Sequence, residues 1–294
     1  MDVFLSPREM ARVIGSSESS LKRWADEGLL EVSRTGGGHR RIAVAEALRF
    51  IREMGFPVVD PQPLGMIKKG HLQSAAQENA DELLRASLMA GDMETTRGLL
   101  MAMYLQGRDV AELCDGPLTL AMRSVGELWK EGPGGIHREH CATEVCAQAL
   151  HYLAGRFPKA KADAPVAVGG SMEEDPYMLP SLMAATCLRA MGWQAINLGA
   201  NLPFSALESA LAFYGPGVEL AWLSCSVGKL AAGQEKRLSK LAQRVGEMGI
   251  ELVVGGRGWA SGAVQAAGAR YAGNMREMTA YAAGLGKGRA VAKV

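Results

Sequence analysis

The second half of the chain alternates short apolar runs with amphipathic stretches of helical period, and this alternation narrows the fold more than any other feature. "PVAVGG" reads as a strand, "MLPSLMAATCLRAMG" as a helix, "QAINLG" as a strand and "PFSALESALAFYG" as a helix. "ELAWLSCS", "AGQEKRLSKLAQRVGEMG", "IELVVGG", "GAVQAAG", "ARYAG" and "MREMTAYAAGLG" carry the pattern onward. Strands that are apolar throughout must be covered on both faces, and helices between them supply the cover. The reading is a Rossmann-like, doubly wound α/β domain over residues 164–286, followed by a frayed basic tail at 287–294. Ligands of such sheets lie outside the carboxyl ends of the strands. Those ends are Gly169/Gly170, Gly199/Ala200, Ser224 and Ser226, and Gly255 and Gly256. Glycine there admits a closely approaching ligand, or serves as a plain turn.

The middle of the chain carries no strand signal. "AAQENADELLRASLMAG", "METTRGLLMAMYLQG", "DVAELCDGPLTLAMRSVGELWKEG" and "REHCATEVCAQALHYLAGRF" place apolar residues three and four apart, with Gly, Asp or Pro between the stretches. Four amphipathic helices with short connections predict a four-helix bundle over 67–160. Within it, Trp129 is followed after nine residues by Glu139 and His140. Gly132, Pro133, Gly134 and Gly135 are read as a break that lets Trp129 end one helix while Glu139 and His140 open the next. A histidine so placed can ligate a metal, with Glu139 orienting it, or the pair can simply face water.

The first 55 residues read as a separate small domain. "SPRE" at Ser6 to Glu9 is a capping box with proline at the first helical position. A short helix, the turn "IGSS" and a second helix ending at Gly28 form a helix-turn-helix pattern. Two short strands around "TGGGH" and the helix "AVAEALRFIREMG" follow, and "GFPVVDPQPLG", Gly55 to Gly65, marks a proline-stiffened linker assigned to 56–66. Cations and acids nearly balance over this segment, so only their distribution points to DNA. Arg34, His39, Arg40 and Arg41 crowd the hairpin with no acid among them. Such a hairpin suits phosphate contact, and Lys22 and Arg23 on the second helix can approach a groove.

The whole chain of 294 residues has a formal net charge of +1, which gives no global pull toward nucleic acid or membrane. No window approaches the ~18 unbroken apolar residues of a membrane span, and the start "MDVFLSPREMARV" has neither a basic region nor an apolar core. A cytoplasmic protein without membrane contact is expected. Cys114, Cys141, Cys146, Cys187 and Cys225 are scattered and contain no CxxC pair. They are read as reduced thiols, mostly core filling.

"ARVIGSSESSLKRWADEGLL" followed by "RTGGGHRRI" strongly resembles the winged helix-turn-helix domain of the MerR family. The resemblance implies that the helix bearing Ser19, Ser20, Lys22 and Arg23 enters the major groove of operator DNA. It also implies that the Arg40/Arg41 wing grips the backbone, with Leu21 and Trp24 as core. With the W-x9-EH pair and the α/β half, nearly the whole chain resembles the cobalamin-dependent photoreceptor repressors of the CarH/CarA/LitR type. In that family the bundle caps the upper face of adenosylcobalamin and the EH histidine can ligate cobalt, which here implies roles for Trp129, Glu139 and His140. "LMAATCLRAMGWQAINLGANLP", Ser224, Ser226, Gly255 and Gly256 match positions lining the slot for the nucleotide tail.

One stretch departs from that family. Its lower-ligand loop follows D/E-x-H-x-x-G, and the same positions here run from Asp175 to Pro180. Tyr177 stands where the cobalt-ligating histidine belongs, and Pro180 replaces the glycine. A phenol is a poorer cobalt ligand than imidazole, and proline lacks the N–H and fixes φ. Three cofactor readings follow: cobalamin without a protein lower ligand; another planar chromophore, a haem or a bilin; or no ligand, the domain serving as a scaffold. The expected function is a one-component DNA-binding regulator, a homo-oligomeric repressor and not an enzyme, that couples a chromophore or light to oligomeric state. The rival is a corrinoid carrier of methyl transfer, or a partner-binding scaffold.

Overall fold

The structure, a computed structural model, describes residues 4–65, 67–228, 233–259 and 268–292. The chain divides into two compact units, 1–158 and 159–294.

The first unit opens with strand β1 (Phe4–Leu5), helix α1 (Pro7–Ile14) and helix α2 (Glu18–Asp26). The capping box predicted from "SPRE" is present: the Glu9 N–H donates to Ser6 Oγ at 3.2 Å and the Ser6 N–H donates to Glu9 Oε2 at 2.7 Å. The Ser6 N–H and the Ser6 hydroxyl, which both donate to the Glu9 carboxylate, hold it below the usual carboxylate range. Gly15, at φ +66°, ends α1 in the left-handed region that favours glycine. Strands β2 (Ser33–Arg34) and β3 (Arg40–Ala43) form the hairpin, and the sheet order is β1-β3-β2, antiparallel throughout. Helix α3 (Val44–Met54) closes the segment, with Leu21, Leu30, Ile42, Leu48, Phe50 and Ile51 buried beneath it.

The predicted linker is folded onto this head. Phe56 packs against Trp24 and Phe50 with ring centroids 5.1 and 5.5 Å apart. The Val59 N–H donates to the Val13 carbonyl at 2.7 Å, and Arg12 pairs with Asp60 at 2.6 Å. Prolines lower the entropy cost of ordering the segment, and one aromatic ring with one ion pair suffices to dock it.

The four predicted helical stretches are all helical, with three differences. Helix α4 (Lys69–Ala75) precedes α5 (Ala80–Met89) and α6 (Met93–Leu105). The third stretch is broken into α7 (Val110–Leu113), a π-turn at Cys114–Leu118 containing Pro117, α8 (Thr119–Gly126) and a 3-10 turn at Glu127–Glu131. Pro117 lacks the N–H a regular helix needs, and widening to a π-turn absorbs it. The last helix, α9 (Pro133–Ala154), starts earlier than predicted. Pro133 sits at its first position, where a missing N–H costs nothing, so only Gly132 at φ +73° breaks the chain. Glu139 and His140 therefore lie inside α9 and do not open it.

The second unit is the predicted parallel sheet. Its strands are β4 (Val166–Ser171), β5 (Gln194–Asn197), β6 (Val218–Ser224), β7 (Glu251–Gly255) and β8 (Arg270–Ala272). The order is β5-β4-β6-β7-β8, every neighbouring pair parallel, so the topological switch point falls between β4 and β6. Helices α10 (Leu179–Ala190), α11 (Phe204–Tyr214), α12 (Gln234–Glu247) and α13 (Met275–Ala292) connect and cover it. Under α11 and α12 lies a core of Val168, Leu207, Leu211, Leu223, Leu241 and Val254. "GAVQAAG" falls almost wholly outside the described residues, and one terminal expectation changes: α13 continues to Ala292 through the stretch predicted to fray.

Gly169 is paired in register with Trp222, and a Cβ on it would lie 2.2 Å from the Trp222 carbonyl and 2.3 Å from its ring. Gly169→Ala is therefore expected to destabilise the chain by about 3 kcal/mol in urea unfolding, at the upper end of overpacking costs.

Candidate functional site

In the first unit, Ser19, Lys22, Arg23, Arg34, His39 and Arg41 are all exposed on α2 and the hairpin. The hydroxyls of Ser19 and Ser20 lie 2.8 and 3.0 Å from that of Ser17, which accepts the Ser20 N–H as cap of α2. Arg40 differs from its neighbour. Its guanidinium pairs with Asp26 at 2.6 Å, donates to the Lys22 carbonyl at 3.3 Å and leaves its side chain 19% exposed. Arg40 thus braces β3 against α2, while Arg41 points a free cation outward. A salt bridge across 14 residues of sequence is invisible to spacing, which is why the two arginines read alike in the sequence.

On α9, His140 is 72% exposed and its Nε2 lies 3.9 Å from Glu139 Oε2, too far for a hydrogen bond. Glu139 instead accepts from the Thr143 hydroxyl at 2.9 Å. No hydrogen bond links the expected pair, because the two side chains leave an α-helix at adjacent positions about 100° apart. The Trp129 side chain lies outside the described residues. No cluster of three or more His, Cys, Asp or Glu able to hold a metal occurs among the described residues.

In the second unit the carboxyl ends of β4 and β6 meet at the switch point, and the loop from Met172 to Met178 arches over them. Asp175 is fully buried there, its carboxylate accepting the N–H of Ser226 at 2.6 Å and of Tyr177 at 3.0 Å. The Ser171 hydroxyl donates to the Tyr177 carbonyl at 2.6 Å, and the Ser224 hydroxyl donates to Ser171 Oγ at 2.9 Å. Asn201, at φ +53°, accepts the Glu174 N–H and donates its own N–H to the Asp175 carbonyl. The Tyr177 ring is left outside this network and is 53% exposed. Pro180 sits in the first turn of α10, a position that suits it.

Beneath the two serines the column continues inward. Trp222, two residues before Ser224, lies on the same face of β6 and is 2% exposed. Its indole N–H donates to Ser181 on α10 at 2.9 Å, and Ser181 donates to Asn197 of β5 at 2.8 Å. Gly255 and Gly256 admit other chain segments: a Cβ would lie 2.8 Å from the Ala272 carbonyl and 2.3 Å from that of Cys225 respectively. Burial raises the Cys225 thiol to about 11, with the Asp175 carboxylate adding to the effect.

Trp222, Ser181, Asn197 and Ser171 were missed in the sequence. The available signal was the Gly169/Gly170 pair inside a fully buried strand, which calls for something large to lie close by.

With the geometry laid out, comparison with known proteins defines the class. A family model described as "B12 binding domain" matches residues 80–154, which span α5 to α9. The structure is similar to that of a monomethylamine corrinoid protein from Methanosarcina barkeri, at a TM-score of 0.52 and 19% identity, covering 69% of this chain and 98% of that one. At that identity the likeness speaks for the fold. In sequence the chain is 27% identical over 220 residues to the HTH-type transcriptional repressor CarA of Myxococcus xanthus, covering 72% of this chain and 73% of the relative. The chain is therefore CarA-like, with a B12-binding-type helical region followed by a Rossmann-like parallel sheet.

Burial pushes the Asp175 carboxyl above the usual carboxylate range, against the pull of the Ser226 and Tyr177 N–H groups. A raised folded-state pKa means that the folded chain holds this proton more tightly, so stability falls as pH rises from about 4 through the raised value. Asp175→Asn is expected to remove that part of the slope in urea unfolding followed between about pH 4 and pH 6.

Proposed function

We propose that this chain is a one-component DNA-binding transcriptional regulator, a repressor of the CarA kind. Its first 55 residues form a MerR-type winged helix-turn-helix, residues 67–160 a four-helix bundle, and the second half senses a tetrapyrrole-class chromophore by changing oligomeric state. The observation that carries the reading is the exposed cations Lys22, Arg23, Arg34 and Arg41, with His39 beside them, on a chain that matches a repressor along 220 residues. Two weak half-site contacts joined in one homo-oligomer bind far more tightly than either alone, so assembly is an effective switch. No helix among the described residues is long and apolar enough to cross a membrane. A corrinoid carrier of methyl transfer would leave the head without a role.

The B12 binding domain match supports a corrinoid as the ligand class. A resident corrin would supply a light- or redox-sensitive cobalt centre, and His140, exposed on α9, is the imidazole this chain offers it. The α/β unit does not fit cobalamin held from below. Tyr177 replaces the imidazole, and the hydroxyls of Ser171 and Ser224 and the carboxylate of Asp175 are already engaged within the loop. These engaged groups favour a second reading in which a planar chromophore without a lower protein ligand, a bilin or haem, replaces adenosylcobalamin. Absorption spectra of the chain incubated with adenosylcobalamin, haem and biliverdin decide between them: a corrin band sinks the exchange, and no band with any of the three sinks both.

Duplexes selected from a random pool by the full chain are expected to bind it with strong salt dependence. Arg41→Ala should weaken binding about three- to tenfold across sequences and lower the salt slope by about 1. Arg40→Ala should mainly lower the thermal stability of the head. Unchanged duplex affinity in Arg41→Ala overturns the wing assignment.

A further inference from the structure

The switch-point crevice is filled from rim to floor. At the rim, Asp175, Ser171 and Ser224 spend their hydrogen-bonding capacity on one another and on the backbone of Tyr177 and Ser226. Directly below, the Trp222 indole crosses from β6 over the bare Cα of Gly169 to Ser181 on α10. In-register pairing of Gly169 with Trp222 and Ser171 with Ser224 stacks these groups in one column on the α10 side of the sheet. The space beside β4 that a flat heterobicycle would need already holds one, the protein's own.

We infer that Trp222 is a specificity-determining plug: it occupies the crevice in which a corrinoid's benzimidazole nucleotide would be buried, so the α/β unit accepts only a ligand that rests on its rim. The inference rests on the tetrapyrrole-sensing reading above and narrows it to ligands without an inserted tail. The indole N–H is satisfied by Ser181 and that hydroxyl by Asn197, so no buried polar atom in the column awaits a ligand. Displacing the ring would break its bond to Ser181 and expose one of the largest side chains in the unit.

The test compares adenosylcobalamin with adenosylcobinamide, the same corrin without the nucleotide, in spectral titrations of the full chain in the dark. The wild type is expected to bind the two within about threefold of each other, and Trp222→Ala to prefer the tailed corrin by about tenfold or more, since the opened slot can bury the base. A wild-type preference of about tenfold for adenosylcobalamin overturns the inference while leaving a corrinoid sensor intact. A second arm needs no corrin: 5,6-dimethylbenzimidazole should raise the melting temperature of Trp222→Ala by about 3 °C and leave the wild type unmoved. If neither chain takes up a corrin, that arm decides, and an unmoved variant overturns the plug. Trp222→Leu, which leaves a smaller gap, takes the place of a Trp222→Ala chain that does not fold.

Discussion

Gly169 lacks a side chain, and because it does, Trp222 can lie flat across β4. The crest of the α/β unit is organised on that contact. With the indole in place, Ser181 and Asn197 have a partner to orient, α10 is pinned to the sheet, and Ser224 stands above the ring within reach of Ser171. The loop from Met172 to Met178 then closes over two engaged hydroxyls and a buried carboxylate. Removing any one of these groups leaves its partner unsatisfied in a place water cannot reach, so the column is held as a unit.

This explains how the loop holds its shape without using the side chain at position 177. Asp175 is turned inward, toward the amides of Ser226 and Tyr177, and works as the bolt of the loop. Position 177 contributes its backbone to the network, through both its N–H and its carbonyl, while its side chain stands outside. Histidine or tyrosine would serve equally well for the backbone bonds, so the identity of that side chain is free to follow the ligand.

Much of this architecture was legible in the sequence because it rests on local chemistry. The capping box at Ser6, the left-handed stops at Gly15 and Gly55 and the strand-helix alternation of the second half depend on neighbours a few residues apart. Where the sequence misled, a tertiary partner decided. Arg40 and Arg41 are adjacent and identical, yet Asp26 engages only one of them. "GPGG" looked like an interruption because glycine and proline usually punctuate, but proline at a first helical position continues the chain into α9. The linker looked free because its docking to Val13 and Arg12 spans nearly fifty residues. Trp222 was hidden for the same reason, its partners Gly169 and Ser181 lying on β4 and α10.

The docked linker bears on how a sensory event could reach the head. Arg52, near the end of α3, stacks its guanidinium 4.0 Å from the Tyr104 ring centroid and donates to the carbonyl of Arg108 at 2.9 Å as well as to that of Tyr104. Arg108 in turn pairs with Asp81 and with Glu112. The head is thereby anchored to α5, α6 and α7 through one arginine at the end of its last helix and by a segment returning to α1. With the head so fixed, reorganising the helices would carry the Lys22–Arg41 surface along as a rigid piece. Under the proposed regulation by assembly no change inside the head would be needed, because the spacing between two heads would decide whether both could meet their half-sites.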